Sequence, residues 1–375
     1  MTQQTEVLNP KKHFLILDGL RGVAAFFVVI FHTLEPFSMG NRFDLMLNHG
    51  YLAVDFFFLL SGFVVAYAYD DRWEKLTRWE FFKRRIIRLQ PMVIIGMVLG
   101  AALFYQSAGQ TFAPVASTPI WRLILTMLIG FTVLPVLPSM DIKGWQEMHP
   151  LSGPTWSLFF EYIGNILYAL FVRKFSKTAL SIFVFLSACL LINHTVFGPQ
   201  GDVIGGWSVT VEQINIGLTR LLFPFFAGVL LSRYGKLINL KGGFWICTVL
   251  LLTVLSIPRL GGPETLWMNG IYESVVIILI FPLIVSMGAG SIINGNLSHK
   301  ICKFLGDISY PIYITHFSLI YVYTAWIMDN KIPFEKGLPI ALLLFVASVV
   351  IAYASLKLYD EPVRNWLQKR FLKKK

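Results

Sequence analysis

The chain has 375 residues, 55% of them hydrophobic and only 14% charged, with a formal net charge of +11. A charged share well below the roughly 25% of soluble domains, with apolar runs near membrane length recurring from end to end, points away from a soluble globular protein and toward an all-α polytopic membrane protein. Segments of about ten residues in strict alternation, the mark of a transmembrane β-barrel, do not occur, and the placement of the basic residues ties the positive charge to membrane topology rather than to nucleic acid.

Eleven apolar segments fall at about 14–38, 51–69, 89–106, 120–138, 154–172, 178–197, 216–232, 244–260, 271–288, 309–328 and 338–356. The first is too long for a cleavable signal peptide, carries Arg21 and His32, and is followed by no small-residue cleavage site. Basic groups come before the first segment (Lys11, Lys12) and after the second (Arg72 to Arg88), fifth (Arg173, Lys174, Lys177), seventh (Arg233, Lys236, Lys241) and ninth (Lys300, Lys303), and close the chain at Lys373 to Lys375. If all are cytoplasmic, each pair must be separated by an even number of crossings, and only the interval from Arg88 to Arg173 breaks that rule. Segment 120–138 carries Arg122, Pro135 and Pro138 and suits a re-entrant or interfacial element. About ten transmembrane helices then remain, with both termini cytoplasmic. Arg42, Lys143, Arg259, Lys331 and Lys336 fall outside, and Arg21, Arg122 and Arg220 lie within segments. Residues 1–375 read as one membrane-embedded domain without an appended soluble domain. Cys189, Cys247 and Cys302 are far apart, which suggests buried thiols rather than a metal site or a disulfide framework.

The first segment carries the sharpest chemical signal. Arg21 and His32 are 11 residues apart, three helical turns plus about 20°, so both leave one helix face about 16 Å apart along the axis. Asp18 and Glu35, each three residues away, can lean onto the same stripe. Ionisable groups inside a membrane helix are costly and mark a functional site by default. In the second segment Asp55 is a candidate of the same kind, while Ser61 and Gly62 read first as packing residues. In TRWEFFKRRIIRLQP, Trp79, Phe82, Ile86 and Leu89 share one helix face and Arg85 and Arg88 another, beside Lys83 and Arg84. This is a cytoplasmic amphipathic helix entering a span at Pro91, and its arginines serve as a lipid anchor or as a phosphate clamp. Glu161 sits inside the fifth segment, where it orients a histidine or pairs with Arg21, Arg122 or Arg220. Arg220 is a buried arginine, and Tyr313 and His316 share a face in the tenth segment.

Five motifs in order, LDGLRGVAAFFVVIFH, VDFFFLLSGF, RRIIRLQP, TWSLFFE and ISYPIYITH, resemble the acyltransferase 3 family of integral-membrane acyltransferases, over nearly the whole chain. The resemblance implies transfer of an acyl group, usually acetyl, from acyl coenzyme A as co-substrate to a hydroxyl of an envelope glycan, exported saccharide or related small molecule. It implies essential roles for Arg21 and His32 and donor handling by the basic stretch with Arg84, Arg85 and Arg88. One departure is that Glu161 is followed by Tyr162 where the family has a second acid. The expected site has His32 as general base, Glu35, Asp55 or Glu161 orienting its ring, and Arg21 on the donor or on the developing charge. Asp18, Ser61, Arg220, Tyr313 and His316 are further pocket candidates. No metal or bound cofactor is expected. The expected setting is the cytoplasmic (inner) membrane, with the lipid bilayer, acyl coenzyme A, the hydroxyl acceptor and envelope-glycan machinery as partners. The alternative is a proton-coupled transporter or exporter using the same Arg21 and His32 pair as a relay, although no inverted repeat is visible.

Overall fold

The computed structural model describes residue 11 and residues 13–372. Among the described residues the fold is wholly helical, with no strand. The helices in chain order are α1 (Leu15–Leu34), α2 (Ala53–Tyr69), α3 (Arg78–Ala102), α4 (Ile120–Gly130), α5 (Thr155–Leu170), α6 (Lys177–Phe197), α7 (Val211–Tyr234), α8 (Gly243–Ser256), α9 (Trp267–Val275), α10 (Phe281–Gly290), α11 (Asn296–Asp329), α12 (Phe334–Ser355) and α13 (Glu361–Phe371). One π-helical turn, Val276–Ile280, joins α9 to α10, and another, Leu356–Asp360, joins α12 to α13. Eight helical stretches of the described residues are long and apolar enough to cross a membrane. Every apolar segment of the sequence has a helix in it.

Glycines set the closest helix crossings. A Cβ on Gly22 of α1 would lie 2.4 Å from the carbonyl oxygen of Leu305 in α11, and one on Gly306 would lie 2.7 Å from Asp18 Cβ. Further along, His32 faces His316. The contacts advance together, so α1 and α11 run parallel. On the other flank Gly62 of α2 meets the backbone of Phe225 and Gly228 of α7 meets that of Leu59. Asp55 pairs with Arg220 and Asp70 with Arg233, so α2 and α7 are also parallel. Only a missing side chain lets backbones approach this closely.

Segment 120–138 contains only the 11 residues of α4, about 17 Å of helix against a hydrocarbon core of about 30 Å. Tyr105, just past α3, donates to the carbonyl of Thr118 at 2.8 Å. α4 then descends until Gln90, midway along α3, bonds the Phe131 carbonyl. The chain climbs back until Leu151 lies against Gly100. It enters and leaves at the same end of α3.

Charged residues gather at two ends of the bundle. Lys11 pairs with Asp71, Arg233 with Asp70, and Arg173 lies over the Trp73 ring at one end. At the other, Arg42 and Arg259 both clasp Asp202, at 2.7 and 2.8 Å.

Two expectations need correction. On α3 the stripe of Trp79, Phe82, Ile86 and Leu89 divides, because Leu89 is buried with Arg85. Trp79 and Ile86 are exposed, and the inward face carries Phe81, Arg85, Leu89 and Met92. The helix also runs unbroken through Pro91 to Ala102, starting from a capping box of Thr77 and Glu80. Of the three cysteines, Cys247 and Cys302 are buried, but Cys189 is exposed on α6.

Candidate active site

A cavity of about 1050 Å³ opens between α1, α2, α3, α5, α11 and α13. Its mouth is basic, with Arg21, Arg84, Arg85 and Arg88 all on the lining. Its inner end is closed by Ser157 and Tyr313, whose hydroxyls are hydrogen-bonded at 2.8 Å.

At the mouth the ion pairs are local. Asp18 accepts from Arg21 at 2.7 Å and lies 2.8 Å from His13 Nε2. Arg85 is buried and paired with Glu161, which also accepts from Ser61 at 2.6 Å. Ser61 is thus a polar part of the cavity wall, whereas Gly62 beside it is the packing residue. Among the described residues Arg84 and Arg88 have no ion pair, and Arg88 is exposed into the cavity.

Beyond the inner end lies a histidine pair. The His316 ring is 6.2 Å from that of Tyr313 and stacks on His32, with centroids 5.7 Å apart and planes at 29°. Phe31 and Phe317 close on His32 edge-on, at 5.0 and 4.8 Å. His32 Nδ1 is 2.7 Å from a Glu35 carboxylate oxygen, one helical turn on. A carboxylate can only accept, so Nδ1 carries a proton, and in the neutral ring Nε2 is the atom with the lone pair. His316 is fully buried, its Nδ1 donates to the Ile312 carbonyl at 2.9 Å, and its Nε2 has no partner.

Of the three carboxylates considered for orienting His32, only Glu35 does so. Asp55 is fully buried and held by Arg220, with bonds of 2.7 and 3.3 Å. Arg220 Nη2, which bonds Asp55, also donates to the Tyr51 carbonyl, and Nη1 donates to the Gly205 carbonyl, so Arg220 is a closed structural pair with Asp55 and not part of the cavity. Glu161 is committed to Arg85, and the Tyr162 hydroxyl turns to Gln90 at 3.3 Å.

Sequence reasoning passed over one group. The loop after α4 brings Lys143 and Glu147 against α11, where Tyr321 donates to Glu147 at 2.7 Å and the Lys143 ammonium lies over the Tyr321 and Phe112 rings. Both charges are buried. Burial pushes the Glu147 carboxyl up to about 7 and holds the Lys143 ammonium well below its usual range. In the sequence these residues stand in a polar loop, and nothing local marks the loop as folding inward. Among the described residues no group of His, Cys, Asp and Glu could hold a metal ion.

The acyltransferase 3 family, described as an acyltransferase domain, matches this chain over residues 14–357. The chain belongs to that family. Protein 2 in picA locus of Rhizobium radiobacter is 34% identical over 169 residues, 43% of this chain and 83% of that protein. O-acetyltransferase OatA of Staphylococcus aureus is 22% identical over 368 residues, 93% of this chain, and the chain spans only 57% of OatA's length. No solved structure matches. Family membership favours acyl transfer over the transporter alternative, and the apolar helices together with the O-acetyltransferase relatives make the chain a multi-pass membrane acyltransferase.

Proposed function

We propose that this acyltransferase moves an acyl group, acetyl by preference, from acyl coenzyme A to a hydroxyl of an envelope glycan, exported saccharide or related small molecule, with the donor entering at the Arg21 end and the acceptor arriving at the His32 end. One observation carries the reading: a basic cavity leads from Arg21, Arg84 and Arg88 to the Ser157 and Tyr313 hydroxyls, and the His32 and His316 stack stands directly behind Tyr313.

Arg21 and His32 are about 16 Å apart along α1, so one arginine cannot serve both the phosphates and the reacting carbonyl. Arg21, Arg84 and Arg88 hold the phosphates of the donor. The pantetheine arm, of similar length to the Arg21 to His32 spacing, lies along the cavity. His32 Nε2 takes the proton of the acceptor hydroxyl while its oxygen attacks the thioester carbonyl. Glu35 stabilises the imidazolium that forms, and the Tyr313 and Ser157 hydroxyls are assigned the role of donors to the developing oxyanion. The carbon–sulfur bond breaks, and the leaving thiolate takes the proton back from His32. No serine or cysteine stands beside His32 as a nucleophile, which favours direct transfer.

This reading places about ten crossings in the cytoplasmic membrane, with the re-entrant 120–138 uncrossed and both termini cytoplasmic. The parallel pairs α1 with α11 and α2 with α7 support it, because both would be antiparallel if 120–138 crossed. The test uses proteoliposomes of known orientation, with acetyl coenzyme A on the Arg21 side and an impermeant saccharide acceptor on the other. Release of free coenzyme A with acetylation of the acceptor is expected. Acetylation only when donor and acceptor share a compartment would overturn the two-sided arrangement, and no thiol release under any condition would overturn the donor.

A further inference from the structure

The cavity mouth is built partly from helix that overshoots the membrane. The continuous stretch Phe334–Phe371 has 38 residues, about 57 Å, and α11 has 34, about 51 Å, against a core of about 30 Å. Cys302 of α11 packs on Gly19 and Leu305 on Gly22, so the first turns of α11, from Asn296, stand at the Arg21 end of α1. The turn Leu356–Asp360 carries α12 into α13, which packs beside α3 at that same end. His299 and Lys303 of α11 and Arg364 and Lys369 of α13 line the cavity there, facing Arg84 and Arg88 of α3. Lys303 and Arg364 carry one acid each, Asp307 and Asp360, both at 2.9 Å. Among the described residues Lys369, like Arg84 and Arg88, has no ion pair. The mouth is therefore a three-sided basic enclosure, and the C-terminal helix is one of its walls rather than a topology signal alone.

We infer that α13 completes a polyphosphate site: Arg364 and Lys369, with Lys303 opposite, bind the phosphates of a nucleotide-bearing donor jointly with Arg84 and Arg88. The inference rests on the proposed coenzyme A donor and extends it to residues outside the family motifs. A guanidinium fork and two ammonium groups converging on one cavity suit phosphate oxygens, which accept several charge-assisted bonds at once. An anionic lipid headgroup offers the same chemistry, and the experiment separates the two.

Purified full-length protein, Arg364→Gln, Lys369→Gln and the double variant are assayed with acetyl coenzyme A and with acetyl-pantetheine, which lacks the nucleotide, in neutral detergent and in vesicles containing phosphatidylglycerol. Binding of inorganic pyrophosphate is measured by calorimetry. The double variant is expected to raise the KM for acetyl coenzyme A ten- to a hundredfold with kcat within about twofold, to show no such penalty with acetyl-pantetheine, and to lose pyrophosphate binding. An equal loss with both donors would make α13 merely structural. A penalty confined to the phosphatidylglycerol vesicles would assign the residues to lipid, and an unchanged KM would remove them from the site. Each of these overturns the inference. Pyrophosphate binding that depends on Arg364 and Lys369, in a wild-type protein that never turns over acetyl coenzyme A, would sustain the phosphate site and refute the donor reading separately.

Discussion

Replacing Glu35 by glutamine isolates the electrostatic part of the His32 assignment. The glutamine carbonyl can still accept from Nδ1, so the ring keeps its tautomer and only the negative charge is lost. A hydrogen bond to a charged group contributes about 1.5–3 kcal/mol. The Glu35 side chain is 44% exposed, so solvent screening brings this to about 1–2 kcal/mol. At about 1.4 kcal/mol per decade of rate, kcat should fall about 5–30-fold. In the proposed mechanism the donor phosphates bind at the far end of α1, so the KM for acetyl coenzyme A should stay within about twofold. Thiol release is followed with saturating acceptor, with His32→Ala as the inactive control and an alanine at Glu35 for comparison. Alanine frees the ring to turn and should cost more than glutamine. Full turnover by Glu35→Gln beside an inactive His32→Ala would refute the carboxylate's role, and a loss confined to KM would place Glu35 in substrate binding instead.

Three further outcomes follow from the buried charges. Asp55→Asn strands the Arg220 cation in the interior and should destabilise the protein by about 3–5 kcal/mol, read as a fall in thermal midpoint in detergent, while the paired change Asp55→Leu with Arg220→Met should recover much of it; an unchanged midpoint in the single variant would contradict a closed pair. For sidedness, a cysteine at Lys143 would report burial rather than topology, because Lys143 is 2% exposed; a cysteine at Trp145, which is 42% exposed, should react with an impermeant thiol reagent in intact cells lacking the native cysteines, and labelling only after lysis would put the loop inside. Burial raises the Glu147 pKa to about 7, so its ionisation disfavours the fold: the stability present below about pH 4.5 is lost as pH rises toward 7. Glu147→Gln should flatten that decline in a midpoint-against-pH series, and parallel curves for the two proteins would show that Glu147 does not titrate in this range.

Much of this arrangement was legible in the residues because it depends on local periodicity. Arg21 and His32 share a helix face, as does Asp18 with Arg21, and the 11 apolar segments each contain a helix. What could not be read was partner choice across the bundle. Glu161, Asp55 and Glu35 are all carboxylates in or beside apolar segments, and only packing decides that Arg85 takes the first, Arg220 the second and His32 the third. Which face of α3 turns inward was not legible for a related reason. Period alone gives two stripes, and which one turns inward depends on whether the surroundings are water or lipid. Lys143 and Glu147 were missed because a polar loop folding back into the bundle leaves no periodic trace.

The two parallel pairs explain why the site has two ends. Because α1 and α11 run side by side in one direction, Asp18 near Gly306 and His32 beside His316 mark the same two depths on both helices. In the proposed mechanism, donor binding at the first depth and proton acceptance at the second would be fixed by two helices at once, and the glycine contacts at Gly22 and Gly306 hold the register between them. A side chain at Gly22 would collide with the Leu305 backbone and shift one helix against the other. Such a shift would move the His32 and His316 stack without touching either ring, so in the proposed mechanism the helix crossing matters as much as the histidines do.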